Sequence, residues 1–227
     1  MLNEIDPRHE DLIAASAAIA GDDPYSMVIA YARLGVDRSA EMPLALQATL
    51  ETDGGFGRFV ADSSGISGFL TSRPDTPVSN HFGIEAWTID HLLYSGESGR
   101  AEGIDALINA TIATLRAQGV SMVSTRIRTD DLAAMWSFQR HGFHVMDTMV
   151  THSIRPKHPD QMMRLSRRHG DLTILAHTTE LLPEVDKSVV DAFANLLNRY
   201  YTTSRFHADR RLDPTLASSY YSRWCRE

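Results

Sequence analysis

The sequence has little of what secreted or metal-stapled proteins rely on. Across 227 residues there is a single cysteine, Cys225. That excludes a disulfide scaffold and a cysteine-based zinc cluster, and it suits a reducing compartment such as the cytoplasm. Long apolar runs are missing as well. No stretch approaches the roughly 20 residues that a membrane helix needs, and the opening MLNEIDPRHEDL is polar and acidic, unlike a signal peptide. Positive charge is in deficit: 22 Lys and Arg face 29 Asp and Glu, a net charge of −7. Such a balance argues against a protein whose main task is gripping nucleic acid. The remainder is ordinary for a globular chain, 43% hydrophobic and 22% charged. The length buries a core without staples and holds one large domain or one and a half average ones.

Periodicity divides the chain. Leu12, Ala15 and Ile19, with Ile13, Ala17 and Ala20, give a helical apolar face. Asp22-Asp23-Pro24 breaks it and opens a second helix with Met27, Val28 and Tyr31, and a third runs from Pro43 to about Leu50. The period then shortens. Arg58–Asp62 and Ile66–Ser72 flank the turn Ser63-Ser64-Gly65 as a hairpin. Pro74–Asn80 reads as loop and Ala86–Ser95 as a strand. A helix follows from Gly103 to Gln118, burying Ile104, Leu107, Ile108, Ile112 and Leu115. Ser121–Arg128 is a strand. Thr129 or Asp130 caps a helix that faces inward through Leu132, Met135 and Trp136, and Phe143–Ile154 is a long strand.

The chemistry concentrates where the strand leads into a glycine-bearing turn and a helix, at Tyr94–Ile108 (YSGESGRAEGIDALI). Free amides and the dipole at a helix N-terminus make an anion site, with a pyrophosphate as natural guest. Arg100, Gly103 and Ile104 fit the loop pattern Arg/Gln-x-x-Gly-x-Gly/Ala. Ala134, Gly142 and Phe143 stand in register with Asn-x-x-Ala-x-x-Leu-Tyr-x-x-x-Gly-Phe. On these residues, about 1–155 resemble the GNAT family of acyl-CoA-dependent N-acetyltransferases, nearest the dTDP-fucosamine acetyltransferase branch that acts on nucleotide-linked amino sugars.

The resemblance implies an α+β (α/β three-layer) fold with a mixed central sheet between helices. It implies acetyl-CoA as co-substrate and a small-molecule amine as acceptor. The backbone of Leu93, Tyr94 and Ser95 would pair with pantetheine, and the amides of Arg100, Ala101, Glu102, Gly103 and Ile104 would hold the pyrophosphate. Asp131 stands at the family's asparagine position. Acyl transfer needs a base for the amine and a proton donor for the thiolate. Glu85, Asp90 and His91 are the base candidates, and strand alternation sets Asp90 and His91 on opposite faces. Phe138 stands where the family's proton-donating tyrosine is common, which leaves Tyr94 as the substitute. Asp105 replaces the loop's last Gly/Ala, and Glu102 adds a carboxylate to the same turn. Both also suit a helix N-terminus without a ligand. A second class therefore stays open: a non-catalytic GNAT-like module serving as scaffold or dimer partner.

Residues 156–170 are a basic linker; with Arg155, the stretch carries Lys157, Arg164, Arg167 and Arg168 against Asp160, a net +4. Residues 171–227 are mainly helical, after a strand at Leu172–His177. Their segment Ser204-Arg205-Phe206 and the helix after Asp213-Pro214 resemble the opening of another GNAT domain. They read either as an incomplete second copy or as a helical extension that packs on the first domain or pairs with another chain, as in a homodimer. The ten histidines show no third ligand at a metal-like spacing. Trp87, Trp136 and Trp224 read as core or interface anchors.

Overall fold

A computed structural model describes residues 2–5, 13–14, 18–20, 23, 41–62, 65–95, 99–149 and 187–226. The chain divides into two compact units, Met1–Val145 and Met146–Glu227. The helix expected after Pro24, the turn residues Ser63 and Ser64, the linker 156–170 and the strand Leu172–His177 lie outside the described residues.

The first unit is built on a five-stranded sheet in the order β1-β2-β3-β4-β5, with β1 Leu2–Ile5, β2 Phe56–Asp62, β3 Gly65–Pro74, β4 Ala86–Tyr94 and β5 Met122–Thr125. Strands β1 to β4 pair antiparallel and β4 pairs with β5 in parallel, so the sheet is mixed. Helices α1 (Glu41–Glu51), α2 (Thr76–Phe82), α3 (Arg100–Ala117) and α4 (Leu132–Arg140) surround it. A parallel pair needs a crossover, and α3 supplies it.

Side chains from alternate strand positions feed two apolar layers. Leu70, Trp87, Ile89 and Tyr94 meet Ile104, Leu107, Ile108, Ile112 and Leu115 of α3, together with Ala134 and Phe138 of α4. On the opposite face, Phe69 and Leu93 meet Leu46 and Leu50 of α1 and the early helical residues Ile13, Ile19 and Ala20. The helix face expected of α3 is the one that is buried. The architecture is the mixed sheet flanked by helices that the resemblance implies.

Several local expectations are corrected. Leu2–Ile5 forms β1; four residues are too few to display an alternation. The segment around PDTPVSN is helix α2 rather than loop. The Asp75 carboxylate accepts from the Val78 amide, Pro77 sits in the first turn, and Gly83 closes the helix at φ 66°. Phe143–Met149 holds no strand, and the rest of the strand expected there lies outside the described residues. In α4 the cap is Asp131, not Thr129 or Asp130. The shifted start turns Ala134, Ser137 and Phe138 inward and leaves Leu132 and Trp136 46% and 55% exposed.

The second unit contains α5 (Lys187–Tyr200), α6 (Arg205–Ala208) and α7 (Pro214–Trp224). The Asp213 carboxylate accepts from the Thr215 and Leu216 amides, and Pro214 opens α7, as the sequence pair predicts. Phe206 is buried against Tyr220 and Tyr221, and Tyr201 meets Tyr221 edge-on. Ala194 is the buried residue of α5, while Phe193, Leu196 and Tyr200 remain exposed. Trp224, expected as an anchor, is exposed as well.

Two substitutions separate the observed core from the expected one. Leu107→Ala, at a fully buried position, is expected to lower unfolding free energy by about 2–5 kcal/mol. Trp136→Ala is expected to cost under about 1 kcal/mol. Urea unfolding followed by circular dichroism measures both, and equal losses would contradict the observed face of α4.

Candidate functional site

Strands β4 and β5 run together only from Ala86↔Met122 to Ile89↔Thr125. Strand β5 ends there, whereas β4 continues to Tyr94. The edge of β4 beyond Ile89 thus has no β5 beside it. At the same point β4 is bulged against β3: Thr71 pairs with His91 and Ser72 with Ile89, so Asp90 is the extra residue. A bulge re-aims side chains. Trp87 and Ile89 face α3, and after the bulge Leu92 and Tyr94 do so.

The bulge overturns the expectation that Asp90 and His91 point to opposite faces. The Asp90 Oδ2 accepts from Thr49 Oγ1 of α1 at 3.1 Å and from Arg73 Nε at 2.6 Å. His91 Nδ1 is hydrogen-bonded to Thr71 Oγ1 at 2.8 Å. Both side chains therefore lie on the α1 face. Burial holds the His91 pKa below its ordinary value; Asp90 pulls it up and Arg73 pushes it down. The result is a histidine that favours the neutral, proton-accepting form. Glu85 is not part of this group. It precedes β4, about 16 Å along the strand from Asp90 at the usual rise. There it is exposed and lines a depression with Ser79, Asn80, Gly83, Ile84 and Ser121.

Beyond the bulge, backbone groups of Leu93, Tyr94 and Ser95 pair within the chain. The Ser95 amide donates to the Ser67 carbonyl at 2.8 Å, and antiparallel alternation sends Leu93's groups the same way, toward Phe69. Only Tyr94, of these three, faces away from β3. Its amide donates to Asp23 Oδ2 at 3.0 Å, and its carbonyl accepts from Arg100 Nη1 at 2.9 Å. The Arg100 guanidinium also binds Asp23 Oδ1 at 3.1 Å and Asp131 Oδ2 at 2.6 Å. All three charged residues are at most 5% exposed. Asp131 Oδ1 accepts from the Ala134 amide, so its carboxylate both caps α4 and holds Arg100. Arg100 and Asp131, expected at the cofactor, are turned inward. Sequence reasoning missed Asp23, Arg73, Thr49 and Thr71 as partners; Asp23 registered only as a helix breaker.

Tyr94 contributes packing at this point rather than a group beside the base candidates. Its ring lies on the α3 face, opposite Asp90 and His91, between Gly68 and Gly103, and a β-carbon at either glycine would run into it. Gly99 opens α3 at φ 69°. Helix geometry leaves the first-turn amides of Arg100, Ala101 and Glu102 without partners inside α3. Gly103, by contrast, donates to the Gly99 carbonyl, and the fully buried Ile104 is core. Asp105 binds Ser137 Oγ at 2.6 Å and Arg140 at 2.7 Å; these hydrogen bonds hold its pKa below the ordinary carboxylate value. The residue in the loop's glycine position therefore ties α3 to α4. The fit to acyl-CoA is divided: the first-turn amides of α3 suit its pyrophosphate, whereas Tyr94's pairing groups are engaged by Asp23 and Arg100. Among the described residues no group of three or more His, Cys, Asp or Glu could hold a metal ion, and no helix is long and apolar enough to cross a membrane.

No family model and no curated protein matches the chain. Solved structures do resemble it. An aminoglycoside acetyltransferase, meta-AAC0020, from an uncultured soil metagenomic sample, in complex with sisomicin, is 15% identical over 69% of this chain and 96% of its own, with a TM-score of 0.47. The ribosomal-protein-alanine N-acetyltransferase from Brucella melitensis biovar Abortus 2308 is 14% identical over 68% and 98%, with a TM-score of 0.44. A transcriptional regulator from Bacillus halodurans C-125 is 15% identical over 68% and 100%, with a TM-score of 0.49.

Two outcomes follow from this geometry. Gly103→Ala is expected to cost about 1–3 kcal/mol through overpacking against Tyr94, and that cost should shrink in a Tyr94→Ala background. A double-mutant cycle by urea unfolding measures the coupling, and additive losses would contradict the packing. For His91, the unfolded chain titrates near the ordinary 6.5 and the folded chain lower. Between those values the unfolded state binds more protons, so stability falls as pH drops from about 6.5 toward the folded pKa. Unfolding across that range in wild type and His91→Gln measures this, and an equally steep loss in the variant would assign it to other groups.

Proposed function

We propose that the first unit is an acyl-CoA-dependent N-acetyltransferase of the GNAT type acting on the amine of a small molecule. The observation that carries this reading is the parting of β4 from β5 after Ile89↔Thr125, with Asp90 and His91 at the point of parting. An amine must lose a proton to become an amide, and a half-buried imidazole that favours its neutral form is suited to take it. Thr71 fixes the ring of His91 through Nδ1, which leaves Nε2 for the amine. The Asp90 carboxylate, held by Arg73 and Thr49, stabilises the imidazolium that forms. Acetyl-CoA, when bound, supplies the thioester whose acyl carbon receives the amine. Arg100, Ala101 and Glu102 are the residues whose amides would hold its pyrophosphate. The proposed acceptor is a nucleotide-linked amino sugar, and 171–227 is proposed as the opening of a second copy of the domain.

A second reading, the non-catalytic GNAT-like module, is favoured by a different observation. Tyr94's amide and carbonyl, both oxygens of Asp131 and the carboxylate of Asp105 are all engaged within the chain. Calorimetry with acetyl-CoA separates the two. The enzyme reading expects a Kd in the micromolar range. Binding no tighter than millimolar would overturn it and leave the module.

A further inference from the structure

We infer that Asp23 is an autoinhibitory contact, a carboxylate that occupies the backbone edge of β4 from within, so that acyl-CoA binding requires the Asp23–Tyr94 contact to open. The inference rests on the acyltransferase reading above and concerns the regulation of the same site. Beyond Ile89 the β4 edge has lost β5, and such an edge presents N–H and C=O groups that an extended amide-bearing ligand can pair with. Tyr94 is where this edge meets the opening of α3. Its amide has one proton to give, and Asp23 Oδ2 takes it at 3.0 Å. Its carbonyl accepts from Arg100 at 2.9 Å, and Arg100 closes the ring by binding Asp23 Oδ1 at 3.1 Å. A carboxylate is a stronger acceptor than the amide carbonyl of a ligand arm, and a residue 1% exposed does not share that bond with water.

The contact is seated by burial as well as by charge. The Asp23 amide donates to the Ile19 carbonyl at 2.8 Å, and Ile19 and Ala20 are packed with Leu46, Leu50, Phe69 and Leu93. The carboxylate is thus held next to residues packed in the α1 layer. Opening the contact does not strand the guanidinium, because Arg100 keeps Asp131 at 2.6 Å and the Tyr94 carbonyl. The network therefore has a member that can leave and a remainder that stays paired.

The test is calorimetric titration of acetyl-CoA into the full chain and into Asp23→Ala, with NMR on the isotope-labelled wild type following the Tyr94 amide and the Asp23 side-chain carboxyl carbon. A dissociation constant at least tenfold lower in Asp23→Ala is expected, as is a joint shift of both wild-type resonances on adding acetyl-CoA. Equal affinities, or wild-type binding that leaves the Asp23 resonance unmoved, would overturn the inference while leaving the acyltransferase reading intact. If acetyl-CoA binds to neither protein, the acyltransferase reading falls and the inference with it. Should Asp23→Ala fail to fold, the wild-type resonances decide alone.

Discussion

Arg100 reaches in three directions from the first turn of α3: to Asp23, to Asp131 and to the carbonyl of Tyr94. The end of β4, the start of α3, the start of α4 and the residue that follows the early helical turns all meet at this guanidinium. Burying a charge is costly unless it is paired and hydrogen-bonded, and leaving one wholly uncompensated typically costs about 3–5 kcal/mol. The positions of α3 and α4 relative to the sheet follow from satisfying it. The apolar layer of Leu107, Ile108 and Phe138 supplies the bulk of the driving force, but apolar contact has no direction. The ionic contacts supply the direction.

The same network bears on the chemistry. An anion site at a helix N-terminus is strongest when nearby cations are available to it. Here the arginine of the loop is committed to two carboxylates, and Asp105 is committed to Ser137 and Arg140. What remains is backbone: the first-turn amides of α3. On the other face of the sheet, the bulge at Asp90 does what regular pairing could not. It brings a carboxylate and a half-buried histidine to one side, each with its own hydroxyl partner. The base candidates Asp90 and His91 thus sit at the bulge of β4, and the Tyr94 backbone sits beyond it on the same strand.

Legibility from the residues follows the range of the interactions. The face of α3 was readable because Ile104, Leu107, Ile108, Ile112 and Leu115 repeat at the helical period over several turns. The cap at Asp213-Pro214 was readable because both signals are local. Helix α2 carries equally local signals, Asp75 and Pro77, yet its proline and polar residues also describe a loop, and burial of Val78 decided the matter. The cap of α4 lies one residue beyond the two expected, Thr129 and Asp130, where Asp131 also pairs with Arg100, 31 positions earlier.

The sequence alone determined the alternation of strand and helix periods, the apolar face of the crossover helix and the placement of Gly103 and Arg100 at its opening, because these depend on neighbours a few positions away. The resemblance it carries offered Glu85, Asp90 and His91 as base candidates. Only the tertiary structure decided which face Asp90 and His91 share, since a bulge exists only against a partner strand and no single strand encodes it. Only the fold brought Asp23 to Tyr94, 71 positions apart. A hydrogen bond across that distance leaves no period in the chain, and its energy is felt only once the core has closed around it.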